Sequence, residues 1–499
     1  MRSGIMNGLD FKEALIRMRH LDCLRPVQLA LLAILLVTAP ACSKQQQSQA
    51  QGQAQSKERS LEQLRTELAM RYFDPAPHLE LAKYYLEHGN RLMAFYTMET
   101  ARRYRFEEKD FNEAFRSVFG GEKPVDSSQE AEAALLKESA RDPNSVDTIV
   151  KLADIYISRK DWAKAKEYIS KTIQLQPDEF DHTDALAEVL RSEGKQEEAD
   201  RVVREYAARY PESFGGFRVR IGELIEKEPG KAKPIVLAAI RKFPKEGSFV
   251  FDLGNVLHRE GKIQEAENNF VKAAEMSPSS VFIQSWVGRF FYKVKKDDRR
   301  ALDYYLNAYF LDPHAYESEF VESRIQHIGA ALAQSEYERQ LKSGVPLVKI
   351  LEDSNPLVVS MAIEKMAEKW EPAHLKTYLG LMGHDDGGVR WYATMTIMQH
   401  VDRSFDETLK SLLRDSDLRK RGLAAYIAVH LWKQESFETM RSMLREESQL
   451  LRFDAISALV LEGGPEGRKI VLEHLPRETH PRLRKLIESG LNRETGQSD

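Results

Sequence analysis

The sequence predicts an all-α protein in which two arrays of helical hairpins, each an α-solenoid, follow one another along the chain. Two repeating patterns carry this prediction. Prolines recur about every 34 residues in the first part of the chain, and an arginine-containing phrase recurs about every 31 residues in the last part. At 499 residues the chain is also too long for a single compact core, so several domains or extended repeat arrays are expected.

Composition narrows the classes of function. Charged residues make up 30% of the chain and the formal net charge is −4, with no strongly basic domain, so nucleic acid is not expected as a partner. The two cysteines, Cys23 and Cys42, both lie before residue 43, which excludes disulfides, cysteine-ligated zinc and cysteine nucleophiles from the body of the protein.

The N-terminal region has the features of an export signal. Residues 27–37 form an apolar run of 11 residues behind Arg25, too short for a membrane span of about 20 residues but suited to the core of a signal peptide. We predict a signal peptide over residues 1–41, and a start at Met18 would give it an ordinary length. Residues 42–59, rich in Gln, Ser and Ala, are predicted to be a disordered tether.

The residues at the end of this signal, Ala39-Pro40-Ala41-Cys42-Ser43, resemble the lipobox of bacterial lipoproteins. The resemblance implies that Cys42 is lipidated and that the protein is anchored in the outer membrane, facing the periplasm. The family usually has Leu or Val where this chain has Ala39. Cleavage by ordinary signal peptidase, giving a secreted or periplasmic soluble protein, and an uncleaved signal anchor are therefore alternatives.

The first array is predicted from prolines that close successive helical segments. Their spacings are 34, 34, 33, 34 and 35 residues, at Pro143, Pro177, Pro211, Pro244, Pro278 and Pro313. Small residues recur on the second helix of the segments, at Ala165, Ala199, Ala266 and Ala301. Small residues allow two helices to approach closely, glycines such as Gly194 and Gly261 provide the turn, and proline ends the second helix.

These features resemble tetratricopeptide (TPR) repeats, and residues 253–278 are the clearest copy. We assign residues 60–345 to a TPR-like solenoid with six or seven repeats between residues 61 and 313. An earlier copy begins near Pro75, and the helix at 128–141 is interpreted as half of a degenerate repeat. The copy between Pro211 and Pro244 is predicted to be degraded, because Gly215-Gly216 and Pro229-Gly230 interrupt it.

The second array is predicted over residues 346–499. The phrase Val389-Arg390-x-x-Ala393-x-x-x-Ile397 recurs at residues 451–459 and, more loosely, three further times, and an acidic turn precedes four of the five copies. Residues at i, i+4 and i+8 share one helix face, and acidic residues favour a helix N-terminus. The phrase resembles short HEAT-like repeats. The recurrent arginine is interpreted as solvated or paired with carboxylates.

Motifs for catalysis are absent from the sequence: it has no phosphate-binding loop, nucleophile elbow or His-Glu-x-x-His zinc motif. The cluster at residues 383–388, Gly-His-Asp-Asp-Gly-Gly, is interpreted as a turn rather than a metal site, because acidic turns occupy the same place in neighbouring repeats. Trp286, Phe290, Phe291 and Tyr292 are predicted to pack between helices rather than to form a base-stacking platform. We therefore expect no catalytic residue, no metal, no cofactor and no small-molecule substrate.

A partner-binding groove is predicted on the first helices of the first array. The i, i+3, i+7 rhythm places acidic residues early in the groove and basic or aromatic residues later. The predicted groove residues are Asp147, Asp154, Asp181, Asp184, Glu188, Phe251, Asn255, His258, Arg259, Phe282, Arg289 and Tyr292. Their order suits a peptide segment with opposite charges at its two ends.

The predicted function is a non-enzymatic scaffold or adaptor that binds other proteins or peptide segments and is held at a membrane by its lipid anchor. The resemblances imply roles in envelope assembly, secretion or export. Two alternatives stay open. Short HEAT-like repeats also occur in subunits of lyases that act on bilin chromophores, and aromatic residues in the groove suit a periplasmic glycan-binding protein.

Lipidation is tested directly by mass spectrometry of the purified N-terminal peptide. We expect a peptide that begins at Cys42 and carries acyl groups. An unmodified peptide beginning at the same residue would contradict the lipid anchor and indicate simple secretion.

Overall fold

The computed structural model consists of helices and turns. It describes residues 59–103, 108–120, 128–225, 227–313 and 318–492. The predicted signal peptide, Cys42 and the predicted tether up to residue 58 lie outside the described residues. Within the described ranges, no helix is both long enough and apolar enough to cross a membrane.

The chain divides into two compact units. Unit 1 combines Met1–Gly121 with Glu322–Asp499, and unit 2 is Glu122–Val321. The helices at the start of the chain are thus grouped with the residues of the predicted second array, whereas the sequence prediction placed them with the first. A sequence period reports which neighbours along the chain are alike, but it does not report packing between distant segments.

The first helices of unit 1 are α1 (Leu61–Met70), α2 (Pro75–Glu87), α3 (Arg91–Arg103) and α4 (Glu108–Phe119). The start of α1 is fixed by a capping box in which Ser60 Oγ accepts a hydrogen bond from the Gln63 backbone, and the Gln63 side chain accepts one from the Ser60 backbone. Helices α2 and α3 form the early hairpin that the sequence predicts near Pro75.

Unit 2 contains α5 and then five successive helical hairpins. Their bounds are α5 (Gln129–Arg141), α6 (Val146–Ser158), α7 (Trp162–Leu175), α8 (Phe180–Ser192), α9 (Gln196–Arg209), α10 (Phe214–Ile225), α11 (Pro229–Lys242), α12 (Gly247–Arg259), α13 (Ile263–Met276), α14 (Val281–Phe290) and α15 (Asp298–Leu311). A π-helical turn, Phe291–Lys295, follows α14. The predicted TPR-like hairpins and the all-α fold class are confirmed.

The hairpins of unit 2 are closed by buried alanines. One alanine on each second helix is fully buried, at Ala165, Ala199, Ala232, Ala266 and Ala301. Ala232 belongs to the copy predicted to be degraded, which is therefore a regular hairpin. Its glycines do not interrupt it: a Cβ on Gly215 would lie 2.1 Å from the Phe180 ring, so glycine permits a close contact there.

Four of the hairpin turns in the described part of unit 2 have left-handed backbone at one recurring position. Gly194 and Gly261 take φ values of 79° and 76°, as the sequence suggests. Lys160 and Lys296 take φ values of 58° and 54° at the equivalent places. The turn geometry is thus set by the hairpin, and glycine is the residue that adopts it most easily.

The long helix α16 (Ser318–Lys342) begins at the end of unit 2 and leads into the remainder of unit 1, which continues as five short hairpins. Their helices are α17 (Leu347–Ile350), α18 (Pro356–Ala367), α19 (Leu375–Leu381), α20 (Gly387–His400), α21 (Asp406–Leu412), α22 (Leu418–Trp432), α23 (Phe437–Met443), α24 (Gln449–Glu462), α25 (Gly464–His474) and α26 (Pro481–Asn492). The predicted apolar stripe of Val389, Ala393 and Ile397 is fully buried.

Segments at the two ends of the chain meet directly in unit 1. Ser448 Oγ donates a hydrogen bond to the Ala69 carbonyl at 2.7 Å, and the Phe73 backbone N–H donates to Gln449 Oε1 at 2.8 Å. The Phe73 ring also packs edge-on against Phe453, with centroids 5.6 Å apart. The C-terminal end of α1 is therefore part of the core of the second array.

A glycine in unit 2 tests the importance of close helix approach. A Cβ on Gly254 would lie 2.7 Å from the Phe270 ring. We expect Gly254→Ala to lower the free energy of unfolding by about 1–2 kcal/mol, since overpacking outweighs the gain in helix propensity. Denaturation followed by circular dichroism measures the change.

Gly222→Ala is the matched control, because a Cβ there meets no described atom within 4 Å. It should raise the free energy of unfolding by roughly 0.5–1 kcal/mol through helix propensity alone. If both variants are equally stabilised, the close approach at Gly254 is not a constraint.

Candidate partner-binding face

The first helices of the unit 2 hairpins form a continuous surface. Helix α8 contacts α10, and α10 contacts α12, so the sides of these helices that are turned away from their hairpin partners line up. We call the exposed and half-buried residues on this side of α6, α8, α10, α12 and α14 the first-helix face. All the predicted groove residues lie on these five helices or just after them.

The early part of the first-helix face is acidic. Asp147 is exposed and pairs with Lys151 at 2.5 Å, and Glu188 is exposed and hydrogen bonded to Arg191. Asp154 is half-buried, and burial raises the pKa of its carboxyl. Cations one helical turn away thus pair with the outermost carboxylates but not with Asp154.

Asp184 shows that the carboxylates interact with each other. Burial raises the pKa of Asp184, and the neighbouring Glu188 and Asp181 add to the shift, while Arg191 and Arg218 oppose it. A carboxyl whose charge is disfavoured in this way gains when a cationic group approaches. The early face is therefore suited to a basic segment.

The middle of the face contains a charge pair that the sequence interpretation missed. Arg218 on α10 lies 3.5 Å from the carboxylate of Asp252 on α12. The signal was present in the repeat spacing, because Arg218 follows Asp184 by one period. It was overlooked because the copy containing Arg218 was treated as degraded.

The later part of the face is built around an exposed aromatic ring. Phe282 is 54% exposed and packs edge-on against Phe251 at 5.5 Å between ring centroids. Phe251 itself is buried, with Trp286 on it at 5.4 Å, which corrects its predicted place on the surface. Phe251 supports Phe282 from below. Phe290 and Phe291 are buried, as predicted.

Polar residues occupy other positions of α12 and α14 and the turn that follows α14. The Arg289 guanidinium lies 4.9 Å from the centroid of Phe320, and Asn255 and Tyr292 are half-buried. Burial, followed by the charge of the exposed Arg259, lowers the pKa of His258, whose ring packs against Phe290 at 5.6 Å. His258 is thus neutral at neutral pH, so the arginines make the later face basic.

The acidic cluster of unit 1 is bonded as a turn. Asp386 Oδ1 accepts a hydrogen bond from the Val389 backbone at 2.9 Å and caps α20, and His384 Nδ1 accepts one from the Asp386 backbone at 3.0 Å. Among the described residues, no group of three or more His, Cys, Asp or Glu residues could hold a metal ion.

Comparison with known proteins gives structural likeness only. No family model matches the sequence, and no curated protein matches it. Among solved structures, the chain is similar to YrrB, described as a TPR protein with an unusual peptide-binding site, with 14% identity, a TM-score of 0.19 and coverage of 53% of this chain and 100% of that one.

Two further structures give similar values. Human IFIT1, as a dimer with PPP-AAAA, has 14% identity, a TM-score of 0.29 and coverage of 77% and 94%. The UNC-45 chaperone has 11% identity, a TM-score of 0.21 and coverage of 87% and 56%. At these identities and TM-scores, the likenesses carry no argument about the function of this chain.

Asp252 gives the face a measurable pH dependence. Burial raises its pKa from 3.8 to about 6, although Arg218 opposes the shift. The unfolded chain then releases the proton at lower pH than the folded chain, so this group lowers the free energy of unfolding as pH rises from about 4 through 6. Between pH 4 and 8, the free energy of unfolding of the Asp252→Asn variant should fall by roughly 2–3 kcal/mol less than that of the parent chain.

Chemical denaturation at a series of pH values measures this difference. Arg218→Gln serves as a second variant, since removal of the cation should move the midpoint of the Asp252 effect to higher pH. Identical pH profiles for the parent chain and Asp252→Asn would contradict the assignment.

Proposed function

We propose that this protein is a non-enzymatic scaffold or adaptor that binds segments of other proteins along the first-helix face of unit 2. The observation that carries the proposal is the arrangement of that face: partly desolvated carboxylates on α6 and α8, the Arg218–Asp252 pair, and then the exposed Phe282 on α14, with Arg259 exposed at the end of α12. A segment with a basic part, an apolar anchor and an acidic part would complement it in that order.

The energetics assign different roles to the parts of this face. Phe282 offers a large apolar area on a rigid base, because it packs on the buried Phe251, which in turn packs against Trp286. Exposed charges such as Asp181 contribute less to affinity, but they raise the rate of encounter and fix the direction of the bound segment. Affinity should therefore depend on the aromatic end and salt dependence on the acidic end.

The second array is a weaker candidate for the binding surface. Within unit 1, the residues that follow α1 pack against α24, where Phe73 contacts Phe453, and the Ala69 carbonyl accepts a hydrogen bond from Ser448. This part of the array is already covered by the chain itself. We infer that its hairpins are HEAT-like, on the strength of the buried stripe, and that it serves mainly to carry unit 2.

We also propose that the protein acts in the cell envelope, anchored through Cys42 as an outer-membrane lipoprotein facing the periplasm. The support is the signal-like apolar run, the residues around Cys42 and the polar segment that follows them. Envelope assembly, secretion and export are the processes for which a tethered scaffold is suited. Nucleic acid, a cofactor and a small-molecule substrate have no place in the proposal.

The proposal is tested by reversing charge at Asp181, Asp184 and Glu188 together. We expect retention of envelope proteins on the immobilised chain to fall roughly tenfold at low salt and its salt dependence to flatten, because these residues supply the attraction for the basic part of the segment. Retained proteins are identified by mass spectrometry after nuclease treatment.

The matched control reverses the same number of charges on α9, at Glu197, Glu198 and Glu205, which are exposed but belong to a second helix. Phe282→Ala should weaken retention at low and high salt alike. If the α8 triple variant retains partners as well as the α9 control does, unit 2 is not the binding surface and the second array becomes the better candidate.

A further inference from the structure

Arg390 in unit 1 differs in its hydrogen bonds from the equivalent arginine of another repeat. The second helices of the short hairpins carry arginines that bind the carbonyls of the preceding turn. Arg390 Nη1 donates to the carbonyls of His384 and Asp385 at 2.7 and 2.8 Å. Arg452 Nη1, two repeats later, donates to the carbonyls of Glu446 and Glu447, both at 2.9 Å.

The two arginines differ at their other edge. Arg452 Nε and Nη2 hold the carboxylate of Glu478 in a two-bond arrangement at 2.9 and 3.1 Å. Arg390 Nε and Nη2 make no hydrogen bond to any residue that the structure describes. The same guanidinium edge is therefore filled by a carboxylate in one repeat and open in the other.

The carboxylates nearest to Arg390 are committed elsewhere. Asp385 accepts from Arg65 at 2.7 and 2.6 Å and from Arg419 at 2.8 Å. Asp417 accepts two bonds from Arg419, and Asp386 caps α20. Asp454 faces Arg390, but it lies beyond ion-pair distance and burial disfavours its charge.

Arg390 also lines a cavity of about 60 Å³, together with Gly387, Thr97 and the apolar side chains of Leu68, Met93 and Leu450. Asp385 and Asp386 line it as well, but Asp385 is bonded to Arg65 and Arg419, which also line the cavity, and Asp386 caps α20. On this measure one water needs about 10–15 Å³, so the cavity has room for roughly four waters or a small organic group. Gly387 is exposed, and a Cβ there would lie 3.5 Å from Arg390 Nη2.

We propose that this cavity binds a carboxylate in the two-bond geometry that Glu478 shows on Arg452, with Nε and Nη2 of Arg390 as donors. Planar guanidinium and carboxylate groups match each other in this geometry. The apolar wall indicates that the acid carries a short aliphatic chain. Such a carboxylate is either a free monocarboxylic acid or the C-terminus of a peptide with an aliphatic last residue. The inference is independent of the function proposed for unit 2.

Butyrate is the probe, and butyramide is its neutral counterpart. At constant ionic strength, butyrate should raise the melting temperature of the full chain in a saturable way, by about 2–4 °C, whereas butyramide should not. A second arm compares acetyl-Gly-Ala-Leu with its C-terminal amide. A rise with butyrate supports a free acid as ligand, and a rise with the free peptide alone supports a peptide C-terminus. No rise with either acid overturns the proposal.

Substitutions show whether the acid that raises the melting temperature binds at Arg390. Arg390→Gln should abolish the rise. Gly387→Val should also abolish it by placing a branched side chain beside Nη2, while it leaves Arg390 and its carbonyl bonds in place. Arg452→Gln is the matched control, because the same change is made where Glu478 already fills the edge, and the rise should persist. A rise of equal size in Arg390→Gln or Gly387→Val would show that the acid binds elsewhere.

Discussion

In the described part of unit 2, apolar clusters continue from one hairpin to the next, and the other features of the fold depend on this stacking. In unit 2, one core cluster runs from Phe217 on α10 through Val236 on α11 to Phe249 on α12. Each helix contributes a stripe that only a neighbour can cover. The close approach this requires explains the buried alanine on every second helix, since a larger side chain there would hold the helices apart.

The same constraint explains why unit 1 draws on both ends of the chain. Its core includes Ala69, Tyr72 and Phe73 beside the buried residues of the second array. Asp385 adds a charged contact, because it accepts hydrogen bonds from Arg65 on α1 and Arg419 on α22. Burying such charges costs desolvation, so the network favours one arrangement of α1 on the array more than it adds stability.

Much of this fold could be predicted from the sequence because each repeat produces a recognisable pattern within a short stretch of residues. Evenly spaced prolines gave the hairpin bounds, and Gly194 and Gly261 marked the turns. The grouping of α1 to α4 with the second array could not be predicted, since contacts such as Ser448 with Ala69 join segments with no shared pattern. The copy at 211–244 was misjudged because glycine was interpreted as a helix interruption, whereas Gly215 permits contact with Phe180.

The first-helix face shows a second limit of prediction from the sequence, which concerns single residues. Among the charged positions placed on α6 and α8 by helical rhythm, Asp147, Asp181 and Glu188 are exposed, and Asp154 and Asp184 are half-buried. On α12, Phe251 is buried although the rhythm places it on the surface, and its neighbour Asp252 pairs with Arg218. A single residue rotates a helix position by about 100°, enough to exchange core and surface. A rhythm found on one helix therefore does not fix which residues of a later helix are buried.

Because the repeats within a unit are alike, one repeat can be compared directly with another. An isolated arginine at a cavity would mean little, because arginines beside carboxylates are common in structural networks. The comparison of Arg390 with Arg452 removes that ambiguity: both bind the same kind of carbonyl pair, on equivalent helices, and only one has its second edge filled. The departure of one repeat from the pattern of its neighbours is informative because the fold holds everything else nearly constant.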